Sequence, residues 1–363
     1  MNPTETPWKL FMNKFEIPQS KRVQFEKVIR TQSPESATML ANTSLSRNEL
    51  IIIIEKSSPS TIISACEKYL PDLYGLMISV EDNNSLRLNE QLCFSWSSIN
   101  SKSSFYTGYS LRFELIMNLV VFGLAHYNRA SEINDSTNEA NFDENAKLIV
   151  NHLKIASGIF DFIARVELSR WMNPPEDRPL ECTTNFSIAL SSLCVSLANC
   201  VTVRKATKQK TSTAIIAKIA CESWHKAELT KNFLKDLGAP HYKKLSKSLR
   251  GYLNCLITLL YSTTMMFMAK SYKEQEKVGD ALAYFSLASP LSKYKKPSDS
   301  RLSANLVALV NEIQYEHQIL TKENDVIYFE KRSDPNSLEQ PQPKGLVSPL
   351  TFSPPMPSFM SIQ

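Results

Sequence analysis

Cys221 and His225, one helical turn apart, are the pair of residues in this sequence that comes nearest to a catalytic arrangement. A histidine beside a cysteine can draw off the thiol proton and leave a nucleophilic thiolate. The surrounding stretch, "TAIIAKIACESWHKAE" at 213–228, points to a plainer role. It reads as an amphipathic helix, and on its apolar side a cysteine packs as a small hydrophobe. The five histidines (His126, His152, His225, His241 and His317) have no His or Cys at metal-ligand spacing, and the seven cysteines contain no C-x-x-C pair. No zinc site is expected. There is no glycine-rich phosphate cradle of the G-x-x-x-x-G-K-[ST] kind and no G-x-S-x-G nucleophile elbow. The chain is read as non-enzymatic, with no catalytic, metal or cofactor site. A hydrolase with dispersed catalytic residues is the alternative that spacing leaves open.

The same helix raises a different possibility. At 100° per residue its apolar arc runs through Ile216, Ala220, Trp224 and Ala227, which puts Ile215 and Ile219 at the edge, on the side of Glu222 and Lys226. Isoleucines on a charged margin are candidates for a docking patch. The wheel alone is equally consistent with a neighbouring helix covering them. A basic run at Arg204–Lys210, "RKATKQK", precedes the helix. Lys205, Lys208, Lys210 and Lys218 read as a solvated face that, beside an apolar groove, would steer an acidic helix towards it.

These residues need elements to hold them, and the composition favours helices. Of 363 residues 43% are hydrophobic and only eight are glycine, which disfavours hairpin-rich folds. The length allows two or three ordinary domains or one elongated one. The cysteines look like reduced cytosolic thiols, and the first residues show no secretory signal. A net charge of +5, without basic runs interleaved with aromatics, fits an acidic protein or an anionic membrane surface at least as well as nucleic acid. The uncharged stretch 251–269 is nearly long enough to span a membrane, but its five Asn, Ser and Thr side chains favour a buried central helix.

From Pro59 to about Leu320 long helical patterns alternate with short breaks. Pro71 is expected to kink or divide the first of them. Residues 92–98, "LCFSWSS", read as a short strand or extended linker, and the apolar pattern that follows reads as a central helix. "NPPEDRP" at 173–179 is a loop, and one long helix is expected over about 241–277. The fold expected is mainly α: a curved, solenoid-like (tetratricopeptide-like) helical domain over 1–332, with a small extended or β segment near the N-terminus. Beyond Arg332, seven prolines and little charge predict an extended proline-rich tail over 333–363, either free or laid as a strap over the domain.

Several blocks, in order, resemble the Bro domain found in Alix and its fungal relatives: "LCFSW" at 92–96, "FELIMNLVVFGLAHYNRAS" at 113–131, "ASGIF" at 156–160, "KAT" at 205–207 with "AIIAKIA" at 214–220, "KVGDALAYFSLA" at 277–288 and "KENDVIYFE" at 322–330. Val121 departs from the family's usual Asn. The single-domain architecture is most similar to the PalC branch, the fungal ambient-pH signalling members. A terminal "SIQ" without a prenylatable cysteine sets it apart from the lipid-anchored animal member. The resemblance implies a cytoplasmic, monomeric adaptor recruited to endosomal or plasma membrane. Its implied partners are the C-terminal amphipathic helix of the major ESCRT-III subunit and the pH-signalling protease machinery; a multivesicular-body cargo-sorting adaptor is the alternative. It also implies the contact residues Ile215, Ile219 and Lys205, with Thr202 standing where Alix has a phenylalanine. Tyr328 takes the family's exposed-loop tyrosine position and is expected to pack against the domain.

Overall fold

The computed structural model describes residues 9–82, 92–289 and 299–362. After an extended segment come α1 (Phe25–Val28), α2 (Pro34–Lys56) and α3 (Pro59–Asp82), then a hairpin of β1 (Phe94–Ser98) and β2 (Ser101–Gly108). The strands are antiparallel, pairing Phe94 with Gly108 and Trp96 with Tyr106, and Ser20 bridges to Trp96 from the N-terminal segment. α4 (Leu111–Asp135) and α5 (Phe142–Phe162) follow. α5 runs through a π-helical turn, Ile163–Glu167, into the short α6 (Leu168–Arg170). Next are α7 (Thr184–Lys208), α8 (Thr213–Lys235), α9 (Ala239–Lys244), α10 (Lys247–Glu274), α11 (Val278–Ala288) and α12 (Ser300–Glu323). The long helices pack in the order α2, α3, α4, α5, α7, α8, α10, α11, α12. This is a mainly helical, curved domain with a small two-stranded sheet.

α4 is the spine. Ser110 caps it by accepting the Arg112 amide, and its side chains are buried almost continuously from Phe113 to Asn128, between α3 on one side and α5 on the other. The apolar stretch 251–269 forms most of α10, with Tyr252, Leu253, Leu256, Leu259, Leu260 and Phe267 in the core. α7 and α10 are both long and apolar enough to cross a membrane, and about four-fifths of the most apolar 18-residue stretch of each is buried in the stack, at 83% and 78%.

Three features differ from expectation. α2 precedes the first expected helix, because its buried face is built largely of Ser36, Thr43, Ser44, Ser46 and Arg47 rather than an apolar stripe. α3 continues through Pro71 as one helix. The expected helix over 241–277 is two, broken at Leu245–Ser246, where the Ser246 hydroxyl accepts the Leu249 amide and starts α10 afresh.

A buried polar knot ties the N-terminal end together. Glu114 of α4 is fully buried and accepts from Arg47 Nε at 2.7 Å, Trp96 Nε1 at 2.7 Å, Asn118 Nδ2 at 2.9 Å and the Tyr69 hydroxyl at 3.2 Å. Arg47 also donates to the Lys21 carbonyl and to Ser20 Oγ. One ion pair thereby links α2, α3, β1, α4 and the N-terminal segment. Burial and the Glu114 charge together push the Tyr69 hydroxyl well above its ordinary range.

The proline-rich residues 333–362 are extended apart from a 3₁₀ turn at Pro335–Ser337, and they lie across the helices as a strap. The Tyr284 hydroxyl of α11 donates to the Glu339 carbonyl. Lys344 N donates to Lys218 O on α8, Leu350 N to Lys154 O on α5, and Ser358 N to Pro71 O on α3. Phe352 sits between the rings of Phe122 and Phe162, and the strap ends with Ile362 at 1% exposure.

Candidate helix-binding groove

Where the strap crosses from α8 to α5 it forms one wall of an open groove of about 390 Å³. The floor is apolar and shallow-sided: Ala146 and Val150 from α5, Val201 and Thr202 from α7, Leu346 and Val347 from the strap. α5 presents Lys147, Val150, Asn151 and Lys154 on one face because they recur at i, i+3, i+4 and i+7. Lys147, Lys154 and Lys205 also line the groove, no carboxylate does, and none of the three lysines holds an ion pair among the described residues. Nearby cations differ: Arg204 pairs with Glu139, and Lys208 with Glu139 and Asp143, while both lie over the Phe142 ring. The groove is therefore a small apolar trough with uncompensated positive charge.

Of the four residues singled out in the sequence, the groove brings together two. Thr202 is half-buried in the floor, its hydroxyl turned back to the Ala198 carbonyl at 3.0 Å, and Lys205 lies one turn further along α7. Ile215 is 39% exposed but outside the lining, one turn before the Lys218 carbonyl that anchors the strap. Ile219 is 1% exposed, which corrects the expectation that it shares an exposed patch with Ile215. The reason is that α8 is flanked by both α7 and α10, so its buried arc is wider than the wheel suggested and takes in Ile219. Ile216, assigned to the core, is 2% exposed.

Sequence reasoning missed the α5 side of the groove and the strap wall. The α5 spacing was a signal that could have found Val150; the strap anchors that flank the groove, at Lys344 and Leu350, are backbone bonds and leave no side-chain pattern. Cys221, the candidate nucleophile, donates its Sγ–H to the Pro341 carbonyl at 3.3 Å, with His225 Nε2 at 3.9 Å. Burial pushes its thiol up to about 12, so the group is a protonated contact beneath the strap. Tyr328, expected to pack against the domain, is 42% exposed in a second π-helical turn, Asn324–Tyr328, beside exposed Val326, Ile327 and Phe329. Buried Asn324 closes that turn by bonding Glu330 N and O, which lifts the four side chains into solvent.

A helical stack closed by a strap, with a trough between strap and helices, defines the class of fold. Residues 23–362 match the BRO1-like domain, and the chain belongs to that family. The chain is 25% identical over 313 residues to the BRO1 domain-containing protein BROX of Danio rerio, covering 81% of this chain and 74% of that protein. The Mus musculus BROX is 27% identical over 317 residues, covering 82% and 75%. Among solved structures, ALIX in complex with the SIVmac239 PYKEVTEDL late domain superimposes with a TM-score of 0.79 at 18% identity over 97% of this chain, which spans 50% of that one. An ALIX BRO1 CHMP4C complex superimposes with a TM-score of 0.76 at 18% identity, covering 97% and 99%.

Proposed function

We propose that this chain is a non-enzymatic adaptor whose groove receives the C-terminal amphipathic helix of the major ESCRT-III subunit. The observation that carries the reading is the trough between α5, α7 and the strap, apolar on its floor and lined by three unpaired lysines without a carboxylate. An amphipathic helix with acidic flanks complements both features: its apolar ridge fills the floor and its carboxylates meet the lysines. The solved complex of an ALIX BRO1 domain with CHMP4C supports the same partner class. Ile215 flanks the trough and Thr202 leaves its floor open where a larger side chain would fill it. In this reading the protein is a cytoplasmic monomer, held peripherally at endosomal or plasma membrane by polymerised ESCRT-III. There it positions the protease machinery of fungal ambient-pH signalling. A cargo-sorting adaptor of the multivesicular body is the second reading, and the groove serves both.

The test is a titration of the purified chain with the isolated ESCRT-III helix peptide. Saturable binding that is lost in Leu346→Asp, a 51% exposed strap residue on the groove wall, is expected. Absence of binding by the unaltered chain, or turnover of broad ester and peptide substrates that one Ser or Cys substitution abolishes, overturns the reading. Deleting the gene separates the two cellular roles: an alkaline growth defect with normal sorting of a membrane cargo selects pH signalling, and the reverse selects cargo sorting.

A further inference from the structure

We propose that Ser348 is a phosphorylation site for a proline-directed protein kinase, and that phosphate there weakens capture of an acidic helix by the groove. The effect on capture rests on the function proposed above; the modification does not. Ser348 precedes Pro349 in the strap, and both are exposed. A residue before proline is held in extended backbone, the form in which a kinase cleft takes its substrate. The strap's serines divide into two kinds. The Ser333 hydroxyl donates to Asp280, Ser337 to the Asp334 carbonyl at 2.8 Å, and Ser358 to Asp72 Oδ1 at 2.6 Å, so these are committed to the fold. The Ser348 hydroxyl has no partner among the described residues.

Within the strap, position favours Ser348 over the other Ser-Pro step there, Ser353-Pro354. Between the anchors at Lys344 and Leu350, residues 345–349 make no backbone hydrogen bond to the helices, so this span can rise from the surface with its ends still held. Raising Ser353 would instead pull Phe352 from between Phe122 and Phe162. In the transfer, Ser348 Oγ forms a bond to the γ-phosphorus of ATP as the bond from that phosphorus to the β,γ-bridging oxygen breaks. ADP departs with the bridging oxygen, and the hydroxyl proton passes to the kinase's base. The product adds a charge of about −1.5 to −2 at the residue next to Val347, which lines the groove together with Lys147, Lys154 and Lys205. Most of the positive charge that attracts an acidic helix is then offset from within the protein.

Incubating the full chain with ATP and a kinase of the mitogen-activated class, followed by tandem mass spectrometry, tests the modification. Phosphate on Ser348, absent from Ser348→Ala, is expected; none on Ser348 while a control substrate is turned over overturns it. The phosphorylated chain and Ser348→Glu are then titrated with the ESCRT-III helix peptide. Binding roughly 3- to 10-fold weaker at low salt, converging with the unmodified chain at high salt, is expected. Equal affinity at low salt overturns the effect on capture. If no form binds the peptide, the proposed function fails and takes that effect with it, while the mass spectrum still decides the modification.

Discussion

The N-terminal knot and the groove handle charge in opposite ways. At the N-terminal knot the Arg47 and Glu114 side chains are 1% and 0% exposed, and the carboxylate is bonded by donors from α2, α3, β1 and α4. At the groove three lysines lie on an apolar trough with no ion pair among the described residues. The knot's polar groups are spent on the fold, and removing either charge leaves the other buried without its counter-ion. The groove's polar groups are left open to solvent and to whatever docks there. The difference separates residues whose loss unfolds the chain from residues whose loss changes only what it binds.

The sharpest way to break this contrast is Arg47→Ala. It takes the counter-ion from the Glu114 carboxylate in the core, which costs about 3–5 kcal/mol, whereas replacing both partners by apolar residues removes the buried charge but leaves the Trp96 and Tyr69 donors without their acceptor, at about 1–3 kcal/mol each. Urea denaturation of Arg47→Ala and of an Arg47→Met/Glu114→Leu double variant checks both halves. A loss below about 1 kcal/mol in the single variant would show that water reaches the knot.

Next in size is the contrast within α8. Ile219→Asp places a charge in a site of 1% exposure and should unfold or aggregate the protein, as should Ile216→Asp. Ile215→Asp, at 39% exposure, should shift stability by no more than about 0.5 kcal/mol while weakening the helix peptide. Circular dichroism melts beside peptide titrations separate the two. If Ile215→Asp melts like Ile219→Asp, the α8 margin is core throughout and the groove ends at the strap.

The fate of these two isoleucines shows how far the sequence reaches. Where a helix is buried all round, as α4 and most of α10 are, the apolar run is itself the signal, and both were legible. The arc of α8 was legible too, but not its width, because width depends on how closely α7 and α10 approach. α2 was hidden because its buried face is Ser, Thr and Arg47, whose burial makes sense only once Glu114 and Asp72 are in place. The strap's prolines declared an extended chain. Its path was unreadable, since Lys344 and Leu350 are anchored through backbone amides that any residue but proline supplies. Thr202 and Lys205 could be placed from the family resemblance; Val150 and Val347, the rest of the same groove, could not be placed from α7 and α8 alone.

Between knot and groove lies a pair that links stability to pH. His126 Nδ1 and His152 Nδ1 are 2.9 Å apart, packed by Phe122 and, through it, by Phe352 of the strap. Burial, with His152 adding to it, pushes His126 down to about 3; burial and Arg129 lower His152. The folded state therefore holds His126 neutral while the unfolded chain takes up a proton below about 6.5. Stability is full above that pH and falls with acidification towards 3, by about 1.4 kcal/mol per unit for one proton. Denaturation curves at pH 7, 5.5 and 4.5 should show the slope, and His126→Leu should flatten it. An unchanged slope would assign the acid sensitivity to other groups.

A smaller effect is expected at the strap itself. Gly158 of α5 lies so close beneath it that a Cβ would sit 1.7 Å from the Leu350 carbonyl oxygen. Gly158→Ala must push the strap off α5 at that point, at an overpacking cost of about 1–3 kcal/mol. Limited proteolysis should then cut within 344–352 faster than in the unaltered chain, and peptide binding should weaken because Leu346 and Val347 no longer hold the wall. Unchanged cleavage would mean that α5 yields instead.

The smallest expected effect concerns Lys205, and it decides what kind of site the groove is. Lys205 is half-buried on α7, lines the trough and has no ion pair among the described residues, so Lys205→Glu breaks no bond among them and buries no new charge. Stability should hold within about 0.5 kcal/mol. Reversal does change the local charge by two, against Lys147 and Lys154, and an acidic helix approaching that face loses part of its attraction. A surface charge acting through solvent alters association more than dissociation, and salt erases the difference once the screening length, about 8 Å at physiological ionic strength, is shorter than the separation. Stopped-flow association should therefore slow a few-fold at low salt and recover at high salt, with the dissociation rate unchanged. A dissociation rate that rises instead, and stays raised in salt, would mean that the Lys205 ammonium bonds the bound helix directly, and the lysines of the groove would then be anchors like those of the knot.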